Sequence, residues 1–495
     1  MCSNEQEFYD GDGADILHSL PASETSSACT LCDLSSALED EHEQMLTPSF
    51  CEDSSPAEDG RSPSQWTTHL RKLFPDSAKP SAEKPVTMLS ICAGTEAPVK
   101  AMVDFCDGDR DSVHHIASVE KDRGAQEFIQ QNFNPLHFFR KSSALLQRKP
   151  WCDCCAAPCG AMHCNIDIAV AGLPCPPSSV LTPGRWQPNY NPMQEKGTEV
   201  FFEIVEWLRW YGDLGRIVKL VILENVLGIF MRTRCNDRPP WYYFKKALKT
   251  VQTHVLLNVE KLSCHIVGIP MNRGRVIIIL VHKEVIGKSI SHQALKERVS
   301  DSFRLIKCNA RQMQDLASIL GCRSIPASPA KRARLDLLPL RLPPKALQRT
   351  KKLRAKKGWP KVGTTAGHPF TLAISEWLLD RLNPRELDVL DCLVLHHNGK
   401  LEEGIVCDIS QNADYKPWSR NNIPCLHKMS KLYYDGDIIP VQHHFKIMGF
   451  SDAMIPASLT TTNIRRLAGN MISVLVIGAA FSFMLHHIKL AGDDD

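Results

Sequence analysis

VTMLSICAGTEAP, residues 86–98, is where the sequence changes texture. An apolar run of strand length ends at a cysteine and a glycine and gives way to a helical pattern. The same unit recurs downstream: IASVE ends at Glu120, DIAVAGL at Leu173, VKLVILENV at Val226 and VIIILVH at His282. Runs that are apolar throughout, rather than alternating, belong to strands covered on both faces. The rhythm therefore predicts an α/β fold with a mostly parallel sheet wrapped by helices. In such sheets the loops that bind and react sit at the carboxyl ends of strands, where Gly94, Glu120, Cys175 and Glu224 fall, so the reading places them around one cleft.

Outward from this core the texture fails on both sides. Residues 1–85 carry 17 Asp+Glu against 5 Lys+Arg, with few aromatics and no sustained period. They read as a disordered acidic tail, with one short helical pattern near Trp66 to Phe74. Residues 290–364 read as a basic Pro- and Lys-rich linker or insert, and 331–361 alone hold 12 Lys+Arg and one acid. A solvated insert, a nucleic-acid contact and a nuclear-import signal all fit that composition. Mixed apolar and polar segments resume over 365–448 around Trp377, Trp418 and Tyr433, which predicts a small second domain. The remainder, 449–490, reads as a return to the first domain, and 86–289 as its main body.

Bulk measures agree with a folded protein. At 495 residues, 43% hydrophobic and 23% charged, the chain has enough apolar side chains for a sizeable core. Nineteen cysteines behind a polar, acidic opening argue for reduced thiols rather than a disulfide framework. The run MISVLVIGAAFSFML, Met471 to Leu485, is shorter than the roughly 20 residues of a bilayer span and predicts a buried amphipathic helix, with no membrane partner.

Chemistry concentrates in two strings. GLPCPPSS, Gly172 to Ser179, follows an apolar strand, and Pro174 and Pro176 hold the Cys175 thiol out on a loop. Some fifty residues later VILENV ends another strand in Glu224 and Asn225. In this order, after this sheet pattern, the pair resembles the Pro-Cys and Glu-Asn-Val motifs of the cytosine-C5 methyltransferase family. Further landmarks follow the family's order. SICAGTEAP resembles the first cofactor motif, SVEKD the acid that holds ribose hydroxyls, and GIPMNRGRV the segment with two arginines. HHFKIMGFSD and RRLAGNMISV resemble the last two motifs. The resemblance covers Val86 to about Leu485.

That resemblance implies a Rossmann-like class I methyltransferase fold plus a target-recognition domain over 365–448. It implies S-adenosyl-L-methionine as cofactor, bound by Cys92, Ala93, Gly94, Thr95, Glu120, Pro174 and Asn470. It casts Cys175 as the nucleophile on cytosine C6 and Glu224 as the acid on N3, with Arg273 and Arg275 also catalytic. Ser179, Asn225, Arg273 and Arg275 would contact a base flipped out of double-stranded DNA. RNA is the alternative substrate, since one branch of the family methylates tRNA, and a non-catalytic regulatory member is a third reading. A nuclear location and chromatin proteins as partners of the acidic tail complete the expectation.

Several positions depart from the family pattern. Glu96 and Ala97 stand where most members have glycines, and a carboxylate there would either meet the cofactor or point to solvent; Glu96→Gly is expected to preserve cofactor binding. FRKSSALL, 139–146, lacks the usual acid after the third strand, leaving Ser142 or Ser143 for the adenine amine. Leu173, Pro176 and Met271 replace a proline, an amide residue and a glutamine. WCDCCAAPCGAMHC, Trp151 to Cys164, packs Cys152, Cys154, Cys155, Cys159 and Cys164 with His163 ahead of the nucleophile strand. Zinc ligation and loosely packed or redox-active thiols both fit those cysteines.

Overall fold

A computed structural model describes residues 65–309 and 382–488 apart from 76, 78, 161–163, 181, 183, 186, 188, 234–237, 287–290 and 398–403, together with 319, 348, 351–353, 355 and 356. Residues 1–64 of the acidic tail lie outside the described residues, as does most of the basic segment.

The first strands follow the apolar runs: β1 Val86–Ile91, β2 Val113–Val119, and β3 His137–Phe139. A hairpin of two-residue strands, β4 Trp151–Cys152 and β5 Ala157–Pro158, precedes β6 Ile166–Gly172; β7 Val218–Val226, β8 His254–Ser263 and β9 Gly274–His282 complete the set. Seven of these form one sheet in the order β3-β2-β1-β6-β7-β9-β8. The first five strands are mutually parallel, whereas β9 runs antiparallel between β7 and β8. The order reverses direction between β1 and β6, which opens a crevice at their carboxyl ends. This is the mostly parallel, Rossmann-like sheet that the sequence resemblance implies.

Helices cover both faces, as central strands apolar on both sides require. One layer holds α1 Gln65–Leu73, α2 Ala97–Phe105, α3 Arg123–Asn132 and α6 His292–Cys308, which bury Leu70, Met102, Phe128 and Phe303 in one core with Ile168 and Ile222. The opposite layer holds α4 Glu199–Asp213 and α5 Pro240–Leu248, which bury Trp207 and Phe244 against Ala169, Val221 and Ile278. Burying one such aromatic contributes on the order of 1.5–3 kcal/mol.

A small antiparallel sheet, order β11-β10-β12-β13, is built from β10 Ile405–Asp408, β11 Trp418–Arg420, β12 Leu432–Tyr434 and β13 Asp437–Ile438. Its Ile405, Cys407 and Tyr433 share a separate core with α7 Pro384–His396, while Val406, Leu432 and Tyr434 merge into the main core. The chain then returns through α8 Gln442–Ile447, α9 Thr461–Asn470 and α10 Val474–His487.

Three boundary readings change. The segment read as tail ends earlier, because Trp66 and Leu70 on α1 are buried and the Trp66 ring lies against Gly478 of α10, where a Cβ would approach to 2.4 Å. The linker read from residue 290 starts with a packed helix, α6, capped by the Ser291 hydroxyl accepting from the Ala294 N–H. Finally, α10 is not amphipathic: every residue from Val474 to Leu485 is buried, among α1, α2 and α6. Thr461–His487 is long and apolar enough to cross a membrane by composition, yet most of it is enclosed by the protein.

Candidate active site

The loop leaving β1 bends through three left-handed residues, Cys92 at φ 49°, Gly94 at φ 71° and Glu96 at φ 59°. Such alternation turns successive backbone N–H groups toward one concavity. Gly172, ending β6, passes so close that a Cβ there would lie 2.5 Å from the Cys92 carbonyl oxygen, so only glycine lets the two strand ends meet. From the end of β2, Glu120 reaches into the same loop. Its carboxylate accepts from the N–H groups of Gly94 at 3.2 Å, Lys121 at 2.8 Å and Asp122 at 2.9 Å. Burial raises its pKa against those three donors.

Glu96 neither meets the cofactor loop's open side nor points to solvent, correcting both readings of it. It is 1% exposed and turns inward beneath the loop, where the Ser118 hydroxyl donates to it at 2.6 Å and His115 Nε2 lies 3.7 Å away. Burial pushes the Glu96 carboxyl up to about 7 and holds His115 down to about 3, so the pair is neutral with its proton on Glu96. A glycine at 96 would suit the φ but would leave a cavity and remove the carboxyl to which Ser118 donates, leaving that hydroxyl only His115 Nε2 at 3.1 Å, which removes the basis for expecting Glu96→Gly to be harmless.

The loop that carries Cys175 is fixed from several sides. Leu173 N–H donates to the Glu224 carbonyl at 3.0 Å, tying the loop's start to the end of β7. The N–H groups of Ser178 and Ser179 close a turn on the Cys175 carbonyl at 2.9 and 2.8 Å. Arg185, fully buried, donates to the carbonyls of Gly228 and Met231 at 2.9 and 2.8 Å, and the Tyr190 hydroxyl donates to Pro177 O at 2.9 Å. Gly228 is required there, since a Cβ would sit 2.0 Å from Ser178 O. Burial pushes the Cys175 thiol up to about 11; Glu224 adds to that rise, while Arg275 and Arg273 oppose it.

Glu224 and Arg275 are diagonal neighbours across β7 and β9, because Arg275 stands opposite Val226. Arg275 Nε lies 2.6 Å from Glu224 Oε1, with both residues under a tenth exposed. Burial pulls the Arg275 pKa down, but the Glu224 carboxylate outweighs it and the net shift is upward. Arg273 behaves differently. Its guanidinium donates to the carbonyls of Leu426 at 2.8 Å, Gly469 at 3.2 Å and Met471 at 2.6 Å, which makes it a clamp between the small-sheet segment and the chain's return. That engagement with backbone redirects the expectation of a base or phosphate contact for Arg273. Gly469 belongs to the same seam: a Cβ on it would lie 2.2 Å from the His427 backbone.

The other expected residues scatter in role. Thr95 is buried, with its hydroxyl 3.5 Å from the Met471 sulfur, and Ala93 is buried while Cys92 and Pro174 are half-exposed. Asn225 is buried and folds its side chain onto the Val226 N–H at 2.7 Å, whereas Asn470 is exposed at the end of α9. Ser142 donates its hydroxyl to Glu203 of α4, so an acid does stand beside the loop after β3, supplied from a helix. Although the Cys92 residue is partly exposed, burial around its sulfur above all, and then the Glu120 carboxylate, push its thiol up to about 12, with Glu203 and Glu199 adding to the rise. Of the cysteine string, Cys152, Cys155 and Cys159 gather around His137, while Cys154 turns to the Pro135 carbonyl and Cys164 lies apart; His163 is outside the described residues.

Arg185, Tyr190 and His137 carried no signal in the sequence, because nothing in a loop arginine, a loop tyrosine or a strand-edge histidine announces what it will face. The cradle fits the cofactor that the resemblance implies. Glu120 has one acceptor position left after its three backbone donors, which suits a ribose hydroxyl, and the loop it reaches into carries a glycine, Gly94, in place of a side chain.

Comparison with known proteins identifies the family. The family model of the C-5 cytosine-specific DNA methylases matches residues 87–334, just over half of the chain. No curated protein matches the sequence. Among solved structures, S. pombe Dnmt2 is similar at 13% identity and TM-score 0.44, covering 81% of this chain and 98% of its own. A putative DNA modification methyltransferase from an E. coli prophage is similar at 15% and 0.43, over 81% and 98%. Spodoptera frugiperda DNMT2, as a triple mutant, is similar at 14% and 0.39, over 81% and 99%. On the family match, which spans the cofactor loop, the nucleophile loop and the Glu224–Arg275 pair, the chain belongs to the C-5 cytosine-specific DNA methylase family.

Proposed function

We propose that the substrate of this cytosine-C5 methyltransferase is double-stranded DNA, and that Cys175, Glu224 and Arg275 carry the reaction on a cytosine flipped out of the duplex. The observation that supports this most directly is the buried ion pair of Glu224 with Arg275 beside the Cys175 loop. The family description and the clustered basic residues 331–361 favour DNA.

S-adenosylmethionine, the methyl donor of this family, supplies an electrophilic methyl group when bound in the β1 loop. The protein's task is to make C5 able to take it. Cytosine C5 is a poor nucleophile, so the Cys175 thiol gives up its proton to solvent and its sulfur adds to C6, which forms an S–C bond and moves the C5–C6 electron pair onto C5. Glu224, held in one orientation by Arg275, hydrogen-bonds N3 and the exocyclic amine and steadies the proton taken up at N3. After methylation a base removes the C5 proton, the C–H electron pair restores the C5–C6 double bond, and the Cys175 sulfur leaves.

A 5-fluorocytosine target tests this sequence, because fluorine cannot leave as a cation and elimination stalls. Incubation with S-adenosylmethionine and fluorocytosine duplex DNA is expected to give a denaturation-resistant protein–oligonucleotide band that Cys175→Ser abolishes. Trapping on tRNA but not on DNA would overturn the choice of substrate. A folded, cofactor-loaded protein that traps neither would overturn the catalytic reading itself.

A further inference from the structure

Away from the reaction site, His137 opens β3, Cys152 ends β4, Cys155 lies in the hairpin turn and Cys159 follows β5. The sulfurs of Cys155, Cys152 and Cys159 lie 3.4, 3.6 and 3.7 Å from His137 Nδ1, and all four ligand atoms fall within 4.8 Å of one another. A ring nitrogen carries one proton or one lone pair, so it can bond one thiol, not three. Three sulfurs at nearly equal distance need another organiser. A tetrahedral zinc ion with thiolates at about 2.3 Å and imidazole at about 2.0–2.1 Å sets nitrogen and sulfur about 3.5 Å apart, which matches all three separations.

We propose that His137, Cys152, Cys155 and Cys159 form a structural Cys3His zinc site. Four protein ligands close the coordination sphere and leave no position for a water or substrate, so the ion braces rather than reacts. Binding converts three thiols to thiolates and releases their protons to solvent. Cys154, aimed at the Pro135 carbonyl at 3.5 Å, and Cys164 stand outside the set.

The surroundings show what needs bracing. Strands of two and three residues cannot hold themselves together, and Trp151 is 60% exposed, so the hairpin has little core of its own. The hairpin hangs on β3 by the Asp153 N–H donating to Phe138 O at 2.9 Å and by the Arg140–Asp153 ion pair at 2.6 Å. On its other side β3 receives the Glu120 N–H at Phe139 O, 3.0 Å. The ion therefore steadies the edge strand against which the ribose-binding candidate Glu120 is set, and the site stands whether or not the substrate is DNA.

Full-length protein made in zinc-containing medium and purified in reducing buffer is expected to hold one equivalent of zinc by elemental analysis. His137→Ala and Cys155→Ser should lose most of it, whereas Cys154→Ser and Cys164→Ser should keep it. Independently of any variant, zinc-loaded wild type should protect Cys155 and Cys159 from alkylation until a chelator is added, while Cys154 reacts at once. Folded protein without metal, zinc retained by His137→Ala, or protection of Cys155 by a disulfide in metal-free protein would each overturn the proposal.

Discussion

Arg275 Nε stands 2.6 Å from Glu224 Oε1 across neighbouring antiparallel strands, inside a wall that excludes water from both. A buried pair of this kind contributes little net stability, but removal of one partner leaves the other charge uncompensated at a cost of about 3–5 kcal/mol. Arg275→Ala is therefore expected to slow adduct formation at Cys175 by at least about 100-fold, and Arg275→Lys, which cannot present Nε, to recover only part of it. Single-turnover trapping on fluorocytosine DNA measures both. Wild-type rates in Arg275→Ala would dissociate the pair from the chemistry.

Cys175 is a protonated thiol at neutral pH in the free protein, since burial and Glu224 push it up to about 11. Its alkylation by iodoacetamide, followed by mass spectrometry, should keep rising roughly tenfold per pH unit through pH 9. A plateau below pH 8 would mean that the two arginines win over burial and that the thiolate is preformed.

Beneath the cofactor loop, Glu96 keeps a proton up to about pH 7 that the unfolded chain releases near its ordinary value of 4.5. Its contribution to stability is full below about 4.5 and is lost as pH rises through about 7. His115, held down to about 3 from 6.5, works in the other direction, and the two slopes cancel between about 4.5 and 6.5. Glu96→Gln keeps the neutral shape without the titration. Urea midpoints should show it more stable than wild type at pH 8, by up to about 3 kcal/mol, and nearly equal at pH 5. An equal effect at both values would contradict a neutral pair.

Gly469 has no room for a methyl group, with backbone atoms of His427 and Lys428 at 2.2 and 2.3 Å from its ideal Cβ. Gly469→Ala should cost about 1–3 kcal/mol or push the small-sheet segment away from the cofactor loop. Thermal melting and S-adenosylmethionine calorimetry together read the two results, and a variant unchanged in both would refute the close seam.

Lys351, Lys352, Arg354, Lys356 and Lys357 bind phosphates without reading bases if the basic segment lies along DNA. Replacing all five by alanine should flatten the log–log salt dependence of DNA binding by up to about 4.5, at roughly 0.9 per lost phosphate contact. An unchanged slope removes the segment from the interface.

What the sequence disclosed follows burial. β1, β6, β7 and β9 are central strands covered on both faces, so VTMLSI, IDIAVAG, VKLVILENV and VIIILVH read as mainly apolar runs. The two edge strands did not read: β8, HVLLNVEKLS, mixes polar and apolar residues because one side is half solvated, and β3 has three residues. The places of Cys175, Glu120 and Glu224, at or just beyond the carboxyl ends of β6, β2 and β7, were legible because the strands before them are apolar. Residues whose role depends on a partner far along the chain were not. His137 meets cysteines 15 to 22 positions away, and Arg273 meets carbonyls 153 to 198 positions away. Glu96 misled because left-handed backbone aimed its side chain down rather than out.

The Arg273 clamp sets a schedule for synthesis. Two of its three carbonyl partners, and the helix that fills the core beside α1 and α2, lie 196 or more residues further along the chain. Until that segment is made, an emerging chain has a sheet with one helical layer unfinished and a buried arginine without acceptors, a state that exposes apolar surface and invites chaperones. The walls on either side of Arg273 therefore come into being together, and only once that distant segment has been made.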